Sequence, residues 1–453
     1  MDQRQSGSNI GLVGGSMCPP EYWFYGAIAA STAAYIFFGD KLVSGLNLQL
    51  LPSGETIPTA AGLMNLGQTC FFNVILQALA SCQSFCDWIA KDSGSLCAPP
   101  SPSETRFTPQ ANTGSDVRTL LNQIITDLKD TGGSNVVDAR VLSQLLDKIR
   151  SEGWVGSHGE QHDAHELFHA LMDLLHSSGN LQATPAGLHC IVQETTLQAG
   201  HKDHPVTGDS VSVVHKAKSS SSYIPHSSSP TVGYVASSMR CKSCMQKSST
   251  KYTEFTSLSL SFPPASSSSV YKLEELLRYY FLSDTVSDVD CENCSRMTGG
   301  LIQSDFLREQ SIGKSCACLC LHIQRLGWYG YHEAIKRHDK VIFPSRLDIS
   351  EFTQLHRMNK LSASRNYMNM SALSNEIRRE TVDAPPTSSS QPVWYRLVAV
   401  IEHRGSENSG HYICYRKFNN HWVYTSDLDT REVTAEHVHT TVPYMLFYER
   451  GSW

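Results

Sequence analysis

The sequence predicts an α+β body carried behind a single N-terminal membrane helix. Three observations lead there: an uncharged apolar run near the N-terminus, apolar residues at helical spacing early in the chain, and alternating strand patterns later. With 453 residues, the chain has room for about three structural units. Hydrophobic residues make up 40% and charged residues 18%, which suits a chain that buries a core and excludes a disordered chain or a coiled-coil rod. A net charge of -6 gives no electrostatic case for nucleic acid, so no nucleic-acid partner is expected.

Residues 22–39 (YWFYGAIAASTAAYIFFG) contain no charge and are bounded by Glu21 on one side and by Asp40 and Lys41 on the other. A helix of that length spans about 27 Å, close to the roughly 30 Å of a hydrocarbon core. Tyr22, Trp23, Phe24 and Tyr25 at one end, and Tyr35, Phe37 and Phe38 at the other, supply the aromatic belts of a membrane interface. A cleaved signal peptide fits less well, because only Arg4 precedes the run and Phe38 stands where a small residue belongs. The expected layout is a tail over 1–21, a transmembrane anchor over 22–39, a linker over 40–61 and a globular body over 62–450.

Helical spacing marks residues 73–88 (NVILQALASCQSFCDW) and 162–175 (HDAHELFHALMDLL). Strand patterns follow at 255–262, 316–326, 395–403, 411–417, 422–425 and 444–449. The Ser/Pro-rich stretches 99–105, 218–230, 264–269 and 384–392 read as surface loops.

The densest chemical signal is residues 62–79 (GLMNLGQTCFFNVILQAL). Cys70 precedes the helical pattern, so its sulfur would sit at or near a helix N-terminus, which favours a thiolate through its free N–H groups and dipole. Asn65 offers an amide donor nearby. By itself the segment fits a nucleophile and a small buried cysteine equally well. His411, after Ser409 and Gly410 at the start of a strand pattern, supplies a base, although a histidine at a strand edge is commonly ordinary surface. The strand 422–425 ends in Ser426 and Asp427, polar groups able to orient an imidazole.

Two CxxC pairs, Cys241/Cys244 and Cys291/Cys294, are separated by 46 residues. Each can form a tight knuckle, and four thiolates would complete a closed tetrahedral structural Zn2+ site; two unrelated thiol pairs or a redox CxxC are the alternatives, and neither pair sits in a thioredoxin-like βαβ context. Such pairs read as metal ligands in a reducing compartment, which puts the body in the cytosol. Cys316, Cys318 and Cys320 alternate along a strand and are expected on one buried face; Cys82, Cys86 and Cys414 read as core residues. The string His165-Glu166-Leu167-Phe168-His169 satisfies HExxH, a short pattern that would suit a zinc protease only with a third ligand.

The stretch around Cys70 resembles the cysteine box of the ubiquitin-specific proteases, G-L-x-N-L-G-N-T-C-[FY]-x-N, departing from it at Gln68. Residues 161–166 resemble the family's Q-Q-D-A-x-E segment with His162 in place of the second Gln, and residues 319–326 its L-x-L-H-L-x-R-F strand. Residues 395–399 and 409–412 are similar to its histidine box, so the likeness runs in order from about residue 62 to 449. It implies a papain-like cysteine protease fold with thumb (about 62–215), zinc-tipped fingers (about 232–310) and palm (about 255–265 and 311–450). Cys70 would be the nucleophile, His411 the base and Asn65 an oxyanion donor. The family's third position, usually Asp or Asn followed by Asp, is here Ser426-Asp427; Ser426 is expected to orient His411 with Asp427 assisting.

The partners implied are ubiquitin and polyubiquitin chains. A serine at the third position together with an N-terminal membrane segment resembles the branch of the family on the mitochondrial outer membrane. It implies ubiquitinated mitochondrial surface proteins as substrates, chains linked through ubiquitin's first lysine, and opposition to mitophagy. Two other readings stay open: a ubiquitin-binding scaffold whose triad has decayed, for which Gln68, His162 and Ser426 speak, and the zinc protease.

Overall fold

The computed structural model describes residues 60–93, 113–130, 136–152, 154, 160–177, 229–264, 269–329, 333–360, 392–406 and 409–451. The expected anchor at 22–39, nearly all of the linker and most of the Ser/Pro-rich stretches lie outside these residues. Among the described residues no helix is long and apolar enough to cross a membrane.

Helices come first. They are α1 (Cys70–Leu79), α2 (Gln83–Ser93), α3 (Thr113–Lys129), α4 (Ala139–Ser151) and α5 (Ala164–Ser177). The apolar run at 73–88 divides between α1 and α2, because residues 80–82 turn back onto the carbonyls of Leu76, Ala78 and Leu79. Every residue of α1 is buried, as its nearly continuous apolar sequence requires. Asp163 starts α5: its Oδ1 accepts from the N–H groups of His165 (2.7 Å) and Glu166 (3.0 Å), satisfying two donors that a helix start leaves open.

The strands form two main sheets. A four-stranded sheet contains β1 (Gly233–Cys241), β2 (Lys251–Phe255), β5 (Asp284–Asp290) and β6 (Gln303–Lys314) in the order β2-β1-β6-β5. An eight-stranded sheet runs β15-β14-β13-β12-β16-β7-β3, with β11 beside β12. Its strands are β3 (Ser257–Leu260), β7 (Cys318–Ile323), β11 (Arg346–Asp348), β12 (Trp394–Gly405), β13 (Gly410–Phe418), β14 (His421–Ser426), β15 (Asp429–Val433) and β16 (Pro443–Arg450). A further hairpin joins β8 (Leu326–Tyr329) to β9 (Glu333–Lys336), and β4 (Val270–Lys272) pairs in parallel with β10 (Lys340–Ile342).

The run 255–262 differs from a single strand. Phe255 ends β2 in the four-stranded sheet, Thr256 bends, and Ser257 begins β3 in the eight-stranded sheet, parallel to β7. The eight-stranded sheet is buried on both faces. Cys318, Cys320, Ala399, Ile401, Cys414, Met445 and Phe447 pack with the helices, while Leu319, Leu321, Val400, Tyr415, Leu446 and Tyr448 pack into a second core. Cys316 corrects an expectation: it lies ahead of β7 and belongs to the second core, not with Cys318 and Cys320. The end of the 218–230 stretch differs as well, since Ser229 and Pro230 are buried and Pro230 O accepts from Cys318 N at 2.8 Å.

Arg416 joins helices to sheet. Its guanidinium is fully buried and donates to Gln77 Oε1 (2.7 Å) and Leu128 O (2.8 Å). The second contact places a cation at the C-terminal end of α3, where the helix dipole favours one.

Candidate active site

Cys70 is the first residue of α1 and is 2% exposed. The loop before it is held tightly. Asn65 Oδ1 accepts from Gly67 N (3.1 Å) and Thr69 N (3.0 Å), and Thr69 Oγ1 accepts from Leu66 N (2.8 Å). Gly67 and Gln68 both take positive φ, 100° and 55°. Gly62 lets this loop approach the β14–β15 turn: a Cβ there would lie 2.9 Å from Leu428 Cα and 3.2 Å from Asp427 O.

His411 is the second residue of β13, and its Nε2 lies 2.7 Å from Ser426 Oγ at the end of the neighbouring β14. If Ser426 accepts, Nε2 carries the ring proton and Nδ1 has a lone pair. Asp427 does something different. Its Oδ2 accepts from Asn65 Nδ2 (2.9 Å) and its Oδ1 from Asn73 Nδ2 (2.7 Å), so its carboxylate ties the Cys70 loop and α1 to the β14–β15 turn. Ser426 therefore contacts His411 directly, while Asp427 acts on the imidazole through space. Asn65 Nδ2 has a second N–H beyond the one given to Asp427.

Burial pushes the Cys70 thiol up, against the backbone N–H groups of Tyr412, Phe71 and Cys70, which pull it down, while the Asp427 charge adds to the rise. The helix terminus does favour the thiolate, as the sequence suggests, but desolvation outweighs it. Burial also lowers His411, opposed by Asp427 and reinforced by Arg404. Both groups are thus neutral near pH 7, and the imidazole stands ready to accept a proton.

Beside the histidine lies a cavity of about 170 Å³ whose lining includes Gln161, Asp163, Lys336, His403, Tyr412 and Tyr444. Gln161 grips the residue before His411 in both directions, donating to Gly410 O (2.5 Å) and accepting from Gly410 N (2.9 Å). Asp163 Oδ2 accepts from the Tyr444 hydroxyl.

The four thiols of Cys241, Cys244, Cys291 and Cys294 come together with all sulfurs within 4.8 Å of one another. Cys241 and Cys294 are 3.8 Å apart, and Cys244 and Cys291 are 3.6 Å apart. Four sulfurs about 2.3 Å from a shared ion would stand at about this separation, so the cluster fits a metal ion. The HExxH histidines are committed otherwise: His165 Nε2 lies 2.8 Å and His169 Nε2 3.0 Å from Ser257 Oγ, 3.1 Å from each other, and His169 Nδ1 is 3.2 Å from Thr256 Oγ1. His322 stacks on His165 at 3.9 Å.

Sequence reasoning gave no role to Asn73, Gln161, Lys336 or His403. Asn73 and Gln161 stand inside the motif strings around Cys70 and Asp163, where a signal was present. Lys336 and His403 carry none.

A family model described as ubiquitin carboxyl-terminal hydrolase matches residues 61–448, and the chain belongs to that family. It is a cysteine-type ubiquitin hydrolase. The chain is similar to ubiquitin carboxyl-terminal hydrolase 30 of Xenopus tropicalis, 29% identical over 97% of this chain and 89% of that protein. It is similar also to the Homo sapiens protein of the same name, 28% identical over 86% and 84%. Among solved structures it resembles a chain of the SAGA Ubp8/Sgf11/Sus1/Sgf73 DUB module bound to ubiquitin aldehyde. That likeness has a TM-score of 0.58 at 20% identity, over 93% of this chain and 75% of that one. The same module bound to monoubiquitin gives 0.56 at 19%, over 92% and 74%. These structures share the fold of this chain.

Proposed function

We propose that this protein hydrolyses the isopeptide bond at the C-terminal glycine of ubiquitin, with Cys70 as nucleophile and His411 as base. The observation that carries the reading is the Ser426 hydroxyl 2.7 Å from His411 Nε2, on a strand beside the one whose Tyr412 amide faces the Cys70 sulfur. Nδ1 of His411 takes the thiol proton as sulfur attacks the glycyl carbonyl. The oxyanion is met by Asn65 and by N–H groups at the start of α1. Ser426 accepts from the imidazolium, which returns its proton to the leaving lysine amine. Water, deprotonated by His411, then cleaves the acyl-enzyme and releases ubiquitin with a free carboxylate. Asp427 holds Asn65 in place and adds negative charge near the ring.

In this reading the helices are the thumb, the eight-stranded sheet the palm and the four-stranded sheet the fingers. Zn2+ held by Cys241, Cys244, Cys291 and Cys294 staples the finger tip. Residues 22–39 anchor the protein in the mitochondrial outer membrane with the body in the cytosol. Its substrates are ubiquitin conjugates of mitochondrial surface proteins, among them chains through ubiquitin's first lysine, and it opposes mitophagy. The likeness to hydrolase 30 of Xenopus tropicalis across 97% of the chain supports this assignment.

Labelling by ubiquitin with a C-terminal electrophile tests the chemistry. The full chain is expected to form a covalent adduct that is absent in Cys70→Ala. Ubiquitin that binds without forming an adduct would overturn the enzyme reading in favour of a ubiquitin-binding scaffold. Loss of activity to a chelator but not to a thiol alkylator would favour the zinc protease.

A further inference from the structure

Lys336 closes β9 and is only 9% exposed. Its Nζ lies 2.9 Å from His403 O, 2.6 Å from Gly405 O and 3.0 Å from His403 Nδ1. An ammonium has three N–H bonds, and these three acceptors match them in number. All three sit at the end of β12, just ahead of the turn that delivers His411.

The contact also sets a tautomer. An ammonium only donates, so His403 must offer a lone pair at Nδ1 and carry its proton on Nε2. That ring stacks on Tyr412 at 4.4 Å and 30°. Gly410 also lies close to it: a Cβ there would stand 2.3 Å from His403 Nε2. Across the hairpin, Arg404 pairs with His411 and Gly405 with Gly410. Gly405 has φ 120°, and a Cβ on it would meet Ser409 O at 2.4 Å. The outgoing leg of the turn is gripped by Gln161; the incoming leg is gripped by Lys336.

We propose that Lys336 is a positioning residue for His411: by binding the carbonyls of His403 and Gly405 and the ring of His403, it fixes the turn on which the base is carried. The inference rests on the reading of His411 as the base. Burying an ammonium is costly unless it is fully hydrogen-bonded, and this site supplies those bonds where the backbone sets the place of the imidazole.

The test compares the parent chain with Lys336→Met, Lys336→Arg and His411→Ala on a fluorogenic amide of ubiquitin's C-terminus. Met keeps the stem and removes the donors. A misplaced base lowers kcat by about 10- to 100-fold, while KM moves by less than about twofold. Lys336→Arg keeps the charge and is expected to recover part of kcat. An unchanged kcat in Lys336→Met, or a raised KM at unchanged kcat, would overturn the proposal. Should Lys336→Met fail to fold, Lys336→Gln carries the same decision, because its shorter, neutral amide has only two N–H bonds for the three acceptors, and a kcat equal to the parent's overturns the proposal. Activity retained in His411→Ala removes the base reading and the clamp with it; an inactive His411→Ala beside an unslowed Lys336→Met removes the clamp alone.

Discussion

Around the eight-stranded sheet, large side chains are buried on both faces, Tyr395, Tyr415, Phe447 and Tyr448 among them. Where β1 reaches Cys241 the picture reverses. The cluster there consists of Cys241, Cys291, Cys294 and Phe306, with Met239, Cys244 and Val289 against it. Met245, Met297 and Leu301 nearby are 61%, 76% and 88% exposed. β1 belongs to both regions, since Val235 lies in the second core. The difference teaches that one sheet can be held by burial at its root and carry, at its tip, four thiols placed so that a metal ion could hold them together. A region with so little apolar area is of the size that metals and disulfides stabilise in small domains.

The largest effect should come from removing one thiol at the tip. Cys291→Ser, or prolonged chelation, is expected to abolish hydrolysis of ubiquitin conjugates and raise amide exchange in β5 and the tip of β6. Exchange in β12 and β13 should change little. Equal loss of protection in both sheets would break the comparison.

The core carries its own liability, which an acid titration would sharpen. His165 is held near about 3 and His322 near about 4, first by burial and then by neighbouring histidines, and burial lowers His169 too. Their neutral forms belong to the folded state, whereas the unfolded chain takes protons near pH 6.5. Stability is therefore complete above about pH 6.5 and lost as pH falls toward about 4, at up to about 1.4 kcal/mol per pH unit for each histidine. Denaturant unfolding at several pH values would measure that slope. A flat stability between pH 6.5 and 4.5 would contradict it.

A smaller change is expected from Ser426→Asp. A carboxylate beside His411 favours the imidazolium, so the acid limb of kcat/KM should move up by about one pH unit, read from a pH–rate profile. An unmoved limb would mean that the through-space charge of Asp427 already sets the imidazole. The smallest effect is Gln68→Asn. At φ 55° asparagine is better tolerated than glutamine, and a gain of about 0.5 kcal/mol, visible as a small rise in Tm, is expected.

Much of this was legible in the sequence because the signals were local. The strands at 395–403, 411–417, 422–425 and 444–449 reappear as β12, β13, β14 and β16, each a run of alternating or continuous apolar residues. The thiol cluster was legible through its spacing, whereas the Cys70, His411 and Ser426 roles came from the resemblance of the motif strings, and the structure puts His411 beside Ser426. What stayed hidden depends on partners distant in the chain. Asp427 reads as an assistant to His411, yet its oxygens hold Asn65 and Asn73, more than 350 residues away. The exposed strand β5 has no apolar alternation to announce it, since pairing with β6 makes it a strand. The break between α1 and α2 follows from packing, as nothing in the run 80–82 resembles a helix stop.

Thr256 bears on how this family of chains can change length. It is the one residue between a strand antiparallel to β1 and a strand parallel to β7. Side chains switch face at every step along a strand, so this residue locks the parity of two sheets together. An insertion of one residue elsewhere on a surface loop is absorbed locally. Here it would turn either Leu258 and Leu260 out of their core or the β2 side chains to the opposite face. An insertion of two residues would leave both sets of side chains on the faces they now occupy.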